Sequence, residues 1–456
     1  MDIALLVDFG STYTKLALVD LDSEVLVGTA QSPSTVNDNM MKGFHLALAK
    51  LLVTPDVKGR GIKESDIGRK LACSSAAGGL RLVAIGLVPQ LTLEAARRAA
   101  LGAGAKVVGS FSHELTKDDV KAIEQKPCDI ILLSGGTDGG NRDVVTHNAR
   151  MLAACKLEMP IIVAANRVAS PDACEILRAA GKDVELTENV LPDLGTINVE
   201  PARNAIRAAF IHRIVRAKGL DKAQEYLGGI LMPTPMATLK AAELLANGTE
   251  DEPGLGELMV VEVGGATTNV HSVATGRPTK SQVTVKGLPE PYAKRTVEGD
   301  LGIRYNAATI VDLAGEKKVL ENMPALREEC PSVRIRAAAQ RLSEDVGFVP
   351  QTECDIFLDV GLASTAVQIA STRHAGTLSE VFTPLGTMLL LHGKDLTEIK
   401  TVIGTGGIFA YGRMPEAILQ KACFSDRDAL SLRPKAPDLF IDRRYILYGV
   451  GLLSEL

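Results

Sequence analysis

The chain has 456 residues, 46% of them hydrophobic, and a formal net charge of −5, so it can bury more than one core. Aromatic residues make up 4% of the chain, tryptophan is absent and no basic stripe is visible, which argues against a nucleic-acid partner. The start MDIALLVDFG lacks the basic region of a signal peptide, and we expect that no apolar stretch reaches the roughly 18 residues of a membrane span. We therefore expect a cytoplasmic protein without a membrane partner.

The first predicted elements are a hairpin and a third strand. ALLVDFG is a short apolar run typical of a strand buried on both faces, and TKLALVD alternates as a second strand should. EVLVGTAQSP is a third β-rich run, and apolar residues at helical spacing follow over residues 40–51. We assign residues 1–69 to a first lobe.

The next segment, residues 70–195, alternates apolar strands, beginning with KLACSS, with helices. This alternation predicts a parallel α/β domain inserted into the first lobe. Within it, the Gly135–Gly140 loop of LLSGGTDGGN follows a strand, where ligands often bind, although Asp138 or Asn141 could simply cap a helix. Its role stays open, and Thr146, His147 and Asn148 are assigned to a solvated helix face.

A mainly helical remainder and linker is predicted over 196–250, and a second lobe over 257–436. ELMVVEVGGATTNVHSVATG repeats the opening pattern, SQVTVKG is expected to add its third strand, and DIFLDVGLASTAVQIA is a weaker third echo. In that echo, Asp359 and Gly361 are expected to be structural. KTVIGTGGIFAYG predicts a strand entering a glycine loop, Lys394 and Asp395 are expected to start a helix, and residues 437–456 are expected to form a C-terminal helix.

The glycine loops carry the chemistry of an anion site. Backbone N–H groups in tight Gly/Ser/Thr turns bind phosphate, and a lysine adds a charge for terminal phosphate oxygens. Asp8 beside phosphates implies Mg²⁺ held through water, and Glu262 has the same place in the second hairpin. These two acids are the predicted catalytic and metal residues. The predicted site for ATP comprises Asp8, Gly10, Ser11, Thr12, Lys15, Glu262, Gly264, Gly265, Thr267, Thr268, Gly404, Thr405, Gly406 and Gly407.

Other site classes fit less well. The chain has no G-x-x-x-x-G-K-[ST] motif, and a Rossmann loop would open a helix, whereas strand-like residues follow both hairpin loops. The seven cysteines are dispersed without a CxxC pair, and we expect reduced, buried thiols. The seven histidines form no zinc-like cluster in the sequence.

At these motifs the sequence resembles the actin, Hsp70 and sugar-kinase ATPase superfamily. Asp8 to Lys15 resembles its first phosphate motif, Glu262 to Thr268 its second, and Gly404 to Gly407 its adenosine motif. The resemblance implies an α/β fold with two duplicated actin/Hsp70-like ATPase lobes around the inserted parallel domain, and binding of ATP and Mg²⁺.

A narrower resemblance covers essentially the whole chain. DFGSTYTK, LLSGGTDGGN, VGGATTNVHSV, RHAGTL, GKDL and VIGTGG together resemble the GlmL/MutL family. That family is associated with adenosylcobalamin-dependent mutases, notably glutamate (methylaspartate) mutase. The resemblance implies an ATP-dependent reactivating chaperone that exchanges damaged corrinoid on such a mutase or an aminomutase. The name shared with a DNA mismatch-repair protein is a coincidence.

Two departures keep alternatives open. The family pattern has aspartate where this chain has Glu262 and Asn269, which affects the expected metal geometry and hydrolysis rate. A small-molecule kinase would need a catalytic base, and no cleft aspartate stands apart from the metal candidates. A non-hydrolysing nucleotide-dependent adaptor is the third possible function, beside the chaperone and the kinase. A homo-oligomer is also left open, and the lack of a D-x-H-x-x-G motif implies that any corrin contact is indirect.

Overall fold

A computed structural model of the chain describes residues 2–35, 38–75, 80–103, 105–217, 226–228, 230–281, 283–383 and 386–456. The chain divides into two compact units. The first contains residues 1–78, 218–286 and 290–456, and the second contains residues 79–217 and 287–289.

The described strands are β1 (Ile3–Phe9), β2 (Tyr13–Asp20), β3 (Val25–Pro33), β4 (Ile67–Ser74), β5 (Leu80–Gly86), β6 (Ala105–Ser112), β7 (Ile130–Leu133), β8 (Ile161–Val163), β9 (Val184–Leu186), β10 (Met232–Pro233), β11 (Leu258–Val263), β12 (Thr268–Val273), β13 (Val283–Lys286), β14 (Ala293–Glu298), β15 (Thr377–Thr383), β16 (Gly386–His392), β17 (Thr401–Thr405) and β18 (Asp438–Ile441).

The described α-helices are α1 (Met40–Leu52), α2 (Pro55–Gly59), α3 (Glu94–Ala103), α4 (Lys117–Glu124), α5 (Asp143–Ala153), α6 (Ser170–Ala179), α7 (Glu200–Ala217), α8 (Thr234–Asn247), α9 (Ala307–Ala314), α10 (Glu316–Asn322), α11 (Ala325–Glu328), α12 (Ile335–Glu344), α13 (Glu353–His374), α14 (Gly407–Tyr411), α15 (Pro415–Leu419) and α16 (Leu447–Leu453).

The first unit contains two five-stranded sheets of the same topology. Their orders are β3-β2-β1-β4-β10 and β14-β12-β11-β17-β18. In each, the second strand is antiparallel to both neighbours, and the last three strands are parallel. The central strands β1 and β11 are buried at every residue, as their apolar runs predict. The two sheets therefore share their strand order and strand directions, and the prediction of an α/β fold is confirmed.

Two strands pair differently from the sequence prediction. β4, which contains the KLACSS segment placed at the start of the inserted domain, runs parallel to β1 in the first sheet. β13, expected as the third strand of the second hairpin, instead pairs with β16 in a separate sheet of order β13-β16-β15. The third strand beside β12 is β14. Strand partners far apart in sequence are not specified by local alternation.

The second unit has the predicted β-α alternation. Its sheet has the order β6-β5-β7-β8-β9, and all its pairings are parallel. The apolar strand β7 is buried at every residue, as expected when helices cover both faces. Helix α7, predicted within the helical remainder after the inserted domain, lies in this unit.

The Gly135–Gly140 loop follows β7 and is held by side chains of its own unit. Asn189 donates to the Gly136 carbonyl at 3.0 Å and to Asp138 at 2.9 Å. Asn166, which is fully buried, donates to the carbonyl of Gly140 at 3.1 Å. These contacts give the polar residues of the loop a structural role.

The helix that follows this loop differs from the prediction at one residue. Asn148, expected on a solvated face, is 1% exposed. Its side chain accepts from Leu115 N at 2.8 Å and donates to His113 O at 2.9 Å. The prediction was wrong for Asn148 because its amide satisfies the backbone of the segment after β6.

The segment 355–370 lies in α13 and is not a strand-loop-strand echo. Asp359 and Gly361 are buried within this helix. Within the described residues, α13 alone is long and apolar enough to cross a membrane, which corrects the expectation that no stretch reaches that length. Because 67% of its most apolar window is buried inside the protein, α13 has the burial of a core helix.

A disulfide links Cys330, which precedes α12, to Cys354 in the first turn of α13. The expectation of reduced thiols is therefore wrong for these two cysteines, because residues 24 positions apart meet in the fold. The remaining cysteines, Cys73, Cys128, Cys155, Cys174 and Cys423, are free and buried, as expected.

The C-terminal region contains a further correction. Lys394 and Asp395 do not start a helix; they lie in an irregular segment after β16. Lys394 is fully buried, and its ammonium donates to Tyr292 O at 2.6 Å. The expected helix over 437–456 is limited to α16, because residues 438–441 form the edge strand β18.

Candidate functional site

The first hairpin places an acid directly opposite a lysine. Asp8 near the end of β1 pairs in register with Lys15 on β2, and Gly10 N donates to Tyr13 O at 3.0 Å to close the turn. Lys15 Nζ lies 2.6 Å from Asp8 Oδ2. The other carboxylate oxygen of Asp8 accepts from Thr234 Oγ1 at 2.5 Å. Both oxygens of a fully buried carboxylate are therefore held.

Lys15 is shared between Asp8 and an aromatic ring. Its ammonium lies 4.3 Å from the centroid of the Tyr445 ring. Burial alone would lower the pKa of Lys15, but the Asp8 carboxylate and Tyr445 outweigh it and raise the pKa above its ordinary value. Lys15 therefore remains a cation. Burial, together with the Asp8 and Glu262 carboxylates, raises the pKa of the Tyr445 hydroxyl to about 12, although Lys15 lowers it. These four groups therefore form one electrostatic cluster.

The second hairpin repeats this geometry with different chemistry. Glu262 on β11 pairs in register with Asn269 on β12, and Gly264 N donates to Thr267 O at 2.9 Å. Asn269 Nδ2 donates to Glu262 Oε2 at 2.9 Å, and His271 Nε2 lies 3.5 Å from the same oxygen. Burial raises the pKa of Glu262, but His271 and Asn269 outweigh it, so the net shift is downward. Burial lowers the pKa of His271.

The loops of the two hairpins lie against each other. A Cβ atom added at Gly265 would stand 2.5 Å from Cγ2 of Thr12, so only glycine fits there without a shift of that side chain. The hydroxyl of Tyr305 donates to Ser11 O at 3.4 Å. The structure therefore brings the first and second predicted phosphate loops together.

The glycine loop after β17 adjoins the second hairpin. Gly406 has φ +113°, and a Cβ atom there would lie 2.2 Å from Val263 O. Gly407 differs, since a Cβ at Gly407 would meet no atom within 4 Å. Gly406 is thus required by the backbone, whereas Gly407 presents open space.

Three predicted residues make structural contacts instead of facing that space. A Cβ at Gly404 would lie 2.9 Å from the Phe409 ring. Thr405 Oγ1 donates to Asp442 Oδ2 at 2.9 Å, and Thr268 Oγ1 donates to a backbone carbonyl at 2.7 Å. The two threonine hydroxyls therefore form structural hydrogen bonds, and the absence of a side chain at Gly404 leaves room for the Phe409 ring.

A cavity of about 420 Å³ opens beside these loops. Its volume falls within the range of ordinary ligand pockets, about 300–1,000 Å³. Five predicted residues line it: Thr12, Lys15, Gly264, Gly265 and Gly407. The remaining predicted residues, Asp8, Gly10, Ser11, Glu262, Thr267, Thr268, Gly404, Thr405 and Gly406, are not among its lining residues. Much of the rest of the wall is apolar and includes Ile303, Val346, Phe348, Val349, Pro350, Ile356, Val360 and Ile408.

A buried ion pair on the cavity wall was not predicted from the sequence. Arg304 donates to both oxygens of Asp359, at 2.9 and 2.7 Å. The Arg304 backbone N–H also donates to Gly265 O at 2.9 Å. Burial raises the pKa of Asp359 although Arg304 opposes the shift. The two partners are 55 residues apart, so local sequence gave no signal for the pair. Thr234 and Tyr445 were missed for the same reason.

The acids of the hairpins do not form a complete protein cage for a metal. Among the described residues, no group of three or more His, Cys, Asp and Glu side chains is placed to hold an ion. Mg²⁺ commonly binds one or two carboxylates and retains several waters. Asp8 and Glu262 fit that mode, and buried Asn269 Oδ1, which has no hydrogen-bond partner among the described residues, adds an oxygen beside Glu262.

Comparison with known proteins identifies related sequences. A family model described as "MutL protein" matches residues 4–456. The "Protein MutL" of Clostridium tetanomorphum is 48% identical over 456 residues, which cover 100% of this chain and 96% of that protein.

Matches among solved structures share little sequence with this chain. A glycerol dehydratase reactivase is 9% identical with a TM-score of 0.37, covering 99% of each chain. A diol dehydratase-reactivating factor in nucleotide-free form is 10% identical with a TM-score of 0.37, covering 100% of this chain and 99% of that one. The activator of 2-hydroxyisocaproyl-CoA dehydratase from Clostridium difficile with bound ADPNP is 9% identical with a TM-score of 0.30, covering 99% and 92%.

Proposed function

The chain belongs to the MutL family, and on that premise we propose that it is an ATP-dependent reactivating chaperone for an adenosylcobalamin-dependent mutase. The family predicted from the sequence motifs is confirmed. Glutamate mutase is the first candidate partner, followed by aminomutases. The proposal includes a cytoplasmic location and an inserted domain over the second unit, residues 79–217, instead of the predicted 70–195, because β4 belongs to the first sheet.

The observation that carries the proposal is a cavity whose wall combines a cation and two glycine loops with many apolar side chains. Lys15 supplies the cation, and Gly264 and Gly265 supply glycine backbone. Apolar side chains such as Ile303, Phe348 and others form much of the remaining wall. A nucleoside triphosphate has the matching chemistry, with charged phosphates joined to a largely apolar base.

Each hairpin would contribute a different group to such a ligand. Lys15 would exchange its contact with Asp8 for one with terminal phosphate oxygens, and the Gly264 and Gly265 loop would approach the phosphates closely. Asp8, oriented by Thr234, and Glu262 would hold Mg²⁺ through water. When bound, the ion would neutralise phosphate charge. The two carboxylates would orient an attacking water through the hydrated ion, since the carboxylate that lines the cavity, Asp359, is held by Arg304.

Nucleotide binding would also act on the contact between the two loops. Gly265 and Thr12 meet at the cavity wall, so a phosphate chain seated beside them would alter their separation. Closure of a cleft around a ligand is a common way to couple chemistry to movement. We propose that ATP hydrolysis changes the relation of the two sheets and that the mutase responds by releasing inactive corrinoid.

The central test combines nucleotide binding with mutase reactivation. A mutase inactivated with hydroxocobalamin should regain activity when given the protein, MgATP and fresh adenosylcobalamin, and the mutase should stimulate phosphate release. Gly407→Val should abolish ATP binding in calorimetry because its side chain fills the open space without a clash. Gly59→Val is the matched control, since Gly59 also faces open space but lies in α2.

The outcomes separate the alternatives. Absence of Mg-dependent ATP binding by the wild-type protein would contradict the proposal. ATP hydrolysis without reactivation of any tested mutase would favour a small-molecule kinase. Binding and reactivation without phosphate release would favour the non-hydrolysing adaptor.

A further inference from the structure

The Lys15 ammonium has the Tyr445 ring as a neighbour in addition to the Asp8 carboxylate. The ammonium lies 4.3 Å from the ring centroid and 2.6 Å from Asp8 Oδ2. An aromatic face attracts a cation without offering it an anion. Lys15 therefore has one partner that competes with phosphate for its charge and another that does not.

The backbone at Tyr445 is held in an uncommon conformation. Tyr445 has φ +54°, a left-handed value that is unfavourable for a non-glycine residue. Its N–H donates to Asp442 O at 3.2 Å. The Asp442 carboxylate also accepts from Ile446 N at 2.9 Å and Leu447 N at 3.0 Å. A strained backbone persists only where surrounding contacts determine it, and Asp442 supplies those contacts.

The same aspartate is bonded to the strand that leads into the glycine loop. Asp442 N donates to Gly404 O at 2.9 Å, and Thr405 Oγ1 donates to Asp442 Oδ2 at 2.9 Å. Gly407, which lines the cavity, follows two residues after Thr405. The segment Asp442–Leu447 therefore connects the glycine loop to the lysine of the first hairpin.

We propose that Tyr445 is a positioning residue that fixes Lys15 for recognition of a β- or γ-phosphate. The proposal rests on the proposed nucleotide function of the cavity. When phosphate oxygens draw Lys15 from Asp8, the ring keeps the ammonium within the same small region. Thr405 holds Asp442, and Asp442 holds the backbone that carries the ring, so a residue of the predicted adenosine motif acts on phosphate recognition through Tyr445.

A neighbouring tyrosine provides a matched control. Tyr411 and Tyr445 line both the 420 Å³ cavity and an adjacent cavity of about 260 Å³. Their ring centroids are 6.5 Å apart, but it is Tyr445 whose ring lies over Lys15 Nζ. Replacing Tyr411 changes the same cavity walls while retaining the contact between Tyr445 and Lys15.

Calorimetry with MgATP and AMP tests the assignment. Tyr445→Leu should weaken ATP binding by roughly 2- to 30-fold, the span expected for a cation–π contact, while AMP affinity stays the same. Tyr445→Phe should bind ATP like the wild type, whereas Tyr411→Leu, which alters the cavity wall but leaves the Lys15 contact, should change the affinities for ATP and AMP by the same factor. If Tyr445→Leu fails to fold, Tyr445→Asn replaces it, because asparagine tolerates the left-handed region and also lacks the ring.

A double-mutant cycle distinguishes positioning from a general structural effect. In a Lys15→Met background, Tyr445→Leu should cause no further loss of ATP affinity. An equal loss with and without Lys15, or an equal loss for ATP and AMP, would overturn the positioning role. Wild-type affinity in Tyr445→Leu would overturn it while leaving the proposed function intact. Failure of the wild type to bind ATP would overturn both.

Discussion

The hairpins Asp8–Lys15 and Glu262–Asn269 have the same length and register but different cross-strand partners. In both hairpins, an acid pairs across the strands with the residue seven positions later. In both, a glycine N–H closes the turn by donating to the carbonyl three residues later. The first acid meets an ammonium, whereas the second meets an amide. One backbone framework therefore supports two kinds of electrostatic site.

In the proposed nucleotide site, this difference would give the two hairpins different tasks. At the first hairpin, the charge of Asp8 is already balanced by Lys15, whose ammonium reaches the cavity wall. At the second, Asn269 donates to Glu262 without cancelling its charge and keeps a carbonyl oxygen without a partner among the described residues. The first hairpin would contribute the Lys15 cation to the phosphates in addition to the Asp8 carboxylate, whereas the second would contribute only oxygens to a hydrated ion.

The largest expected contrast comes from neutralising each acid. Asp8→Asn should lower the free energy of unfolding by about 3 kcal/mol, because it leaves Lys15 without its buried counter-charge. This is the low end for a broken buried pair, since the Lys15 side chain keeps 12% exposure and the Tyr445 contact. Glu262→Gln should change the free energy of unfolding by about 1 kcal/mol or less, because the glutamine oxygen can still accept a hydrogen bond from Asn269.

Urea unfolding of the nucleotide-free variants measures this contrast. Lys15→Met with Asp8→Asn is the control and should recover part of the loss, because no unpaired ammonium remains. An equal loss in Asp8→Asn and Glu262→Gln would show that the two hairpins are electrostatically equivalent.

A smaller contrast is expected at the turn glycines. A Cβ at Gly10 would lie 2.5 Å from Tyr13 O, whereas a Cβ at Gly264 would lie 3.3 Å from Thr267 O. Gly10→Ala should therefore cost about 1–3 kcal/mol, as overpacking does, and Gly264→Ala less than about 1 kcal/mol. Thermal unfolding of the two variants side by side measures the difference. A larger loss for Gly264→Ala would contradict the geometry.

A second buried lysine, Lys394, has no carboxylate partner in its hydrogen bonds within the described residues, and it is expected to make stability depend on pH. Lys394 donates to Tyr292 O at 2.6 Å and lies 3.4 Å from Ser272 Oγ, both uncharged groups. Burial, with Lys294 adding repulsion, lowers the pKa of Lys394 to about 7. The pKa of Lys15, which has a carboxylate partner, is raised instead.

The sign of the pH effect follows from that depressed pKa. Between pH 7 and the ordinary lysine pKa of 10.5, the unfolded chain binds a proton that folded Lys394 lacks, so stability rises with pH. Lys394→Met should remove this contribution, at most about 1.4 kcal/mol per pH unit. Unfolding free energies at pH 7, 8 and 9 measure the slope. Equal slopes in wild type and variant would show that Lys394 stays charged in the fold.

The hairpins were predictable because their information is local. Apolar runs, alternation and turn glycines lie within 20 residues, and the structure has β1, β2, β11 and β12 where these patterns indicate them. Helix α13 was missed because a helix apolar around its circumference loses the 3.6-residue period that marks a helix. The motif-like spacing of Asp359 and Gly361 then favoured a hairpin that does not exist.

The candidate site was only partly predictable. Sequence placed Lys15, Gly264, Gly265 and Gly407 at one site, and the structure has all four on one cavity wall. The Arg304–Asp359 pair and the Cys330–Cys354 disulfide depend on contacts between elements distant in sequence. Neither partner of those pairs carries a local signal that identifies the other.

The tyrosines around Lys15 give the molecule a built-in optical reporter. Tyr411, Tyr445 and Tyr448 form an edge-to-face series with 6.5 Å between successive ring centroids. The chain has seven tyrosines and no tryptophan, so no indole absorption masks their near-ultraviolet circular dichroism. Rings coupled at this distance in a fixed chiral arrangement contribute strongly to that spectrum, and a displacement of Tyr445 would register without any attached label.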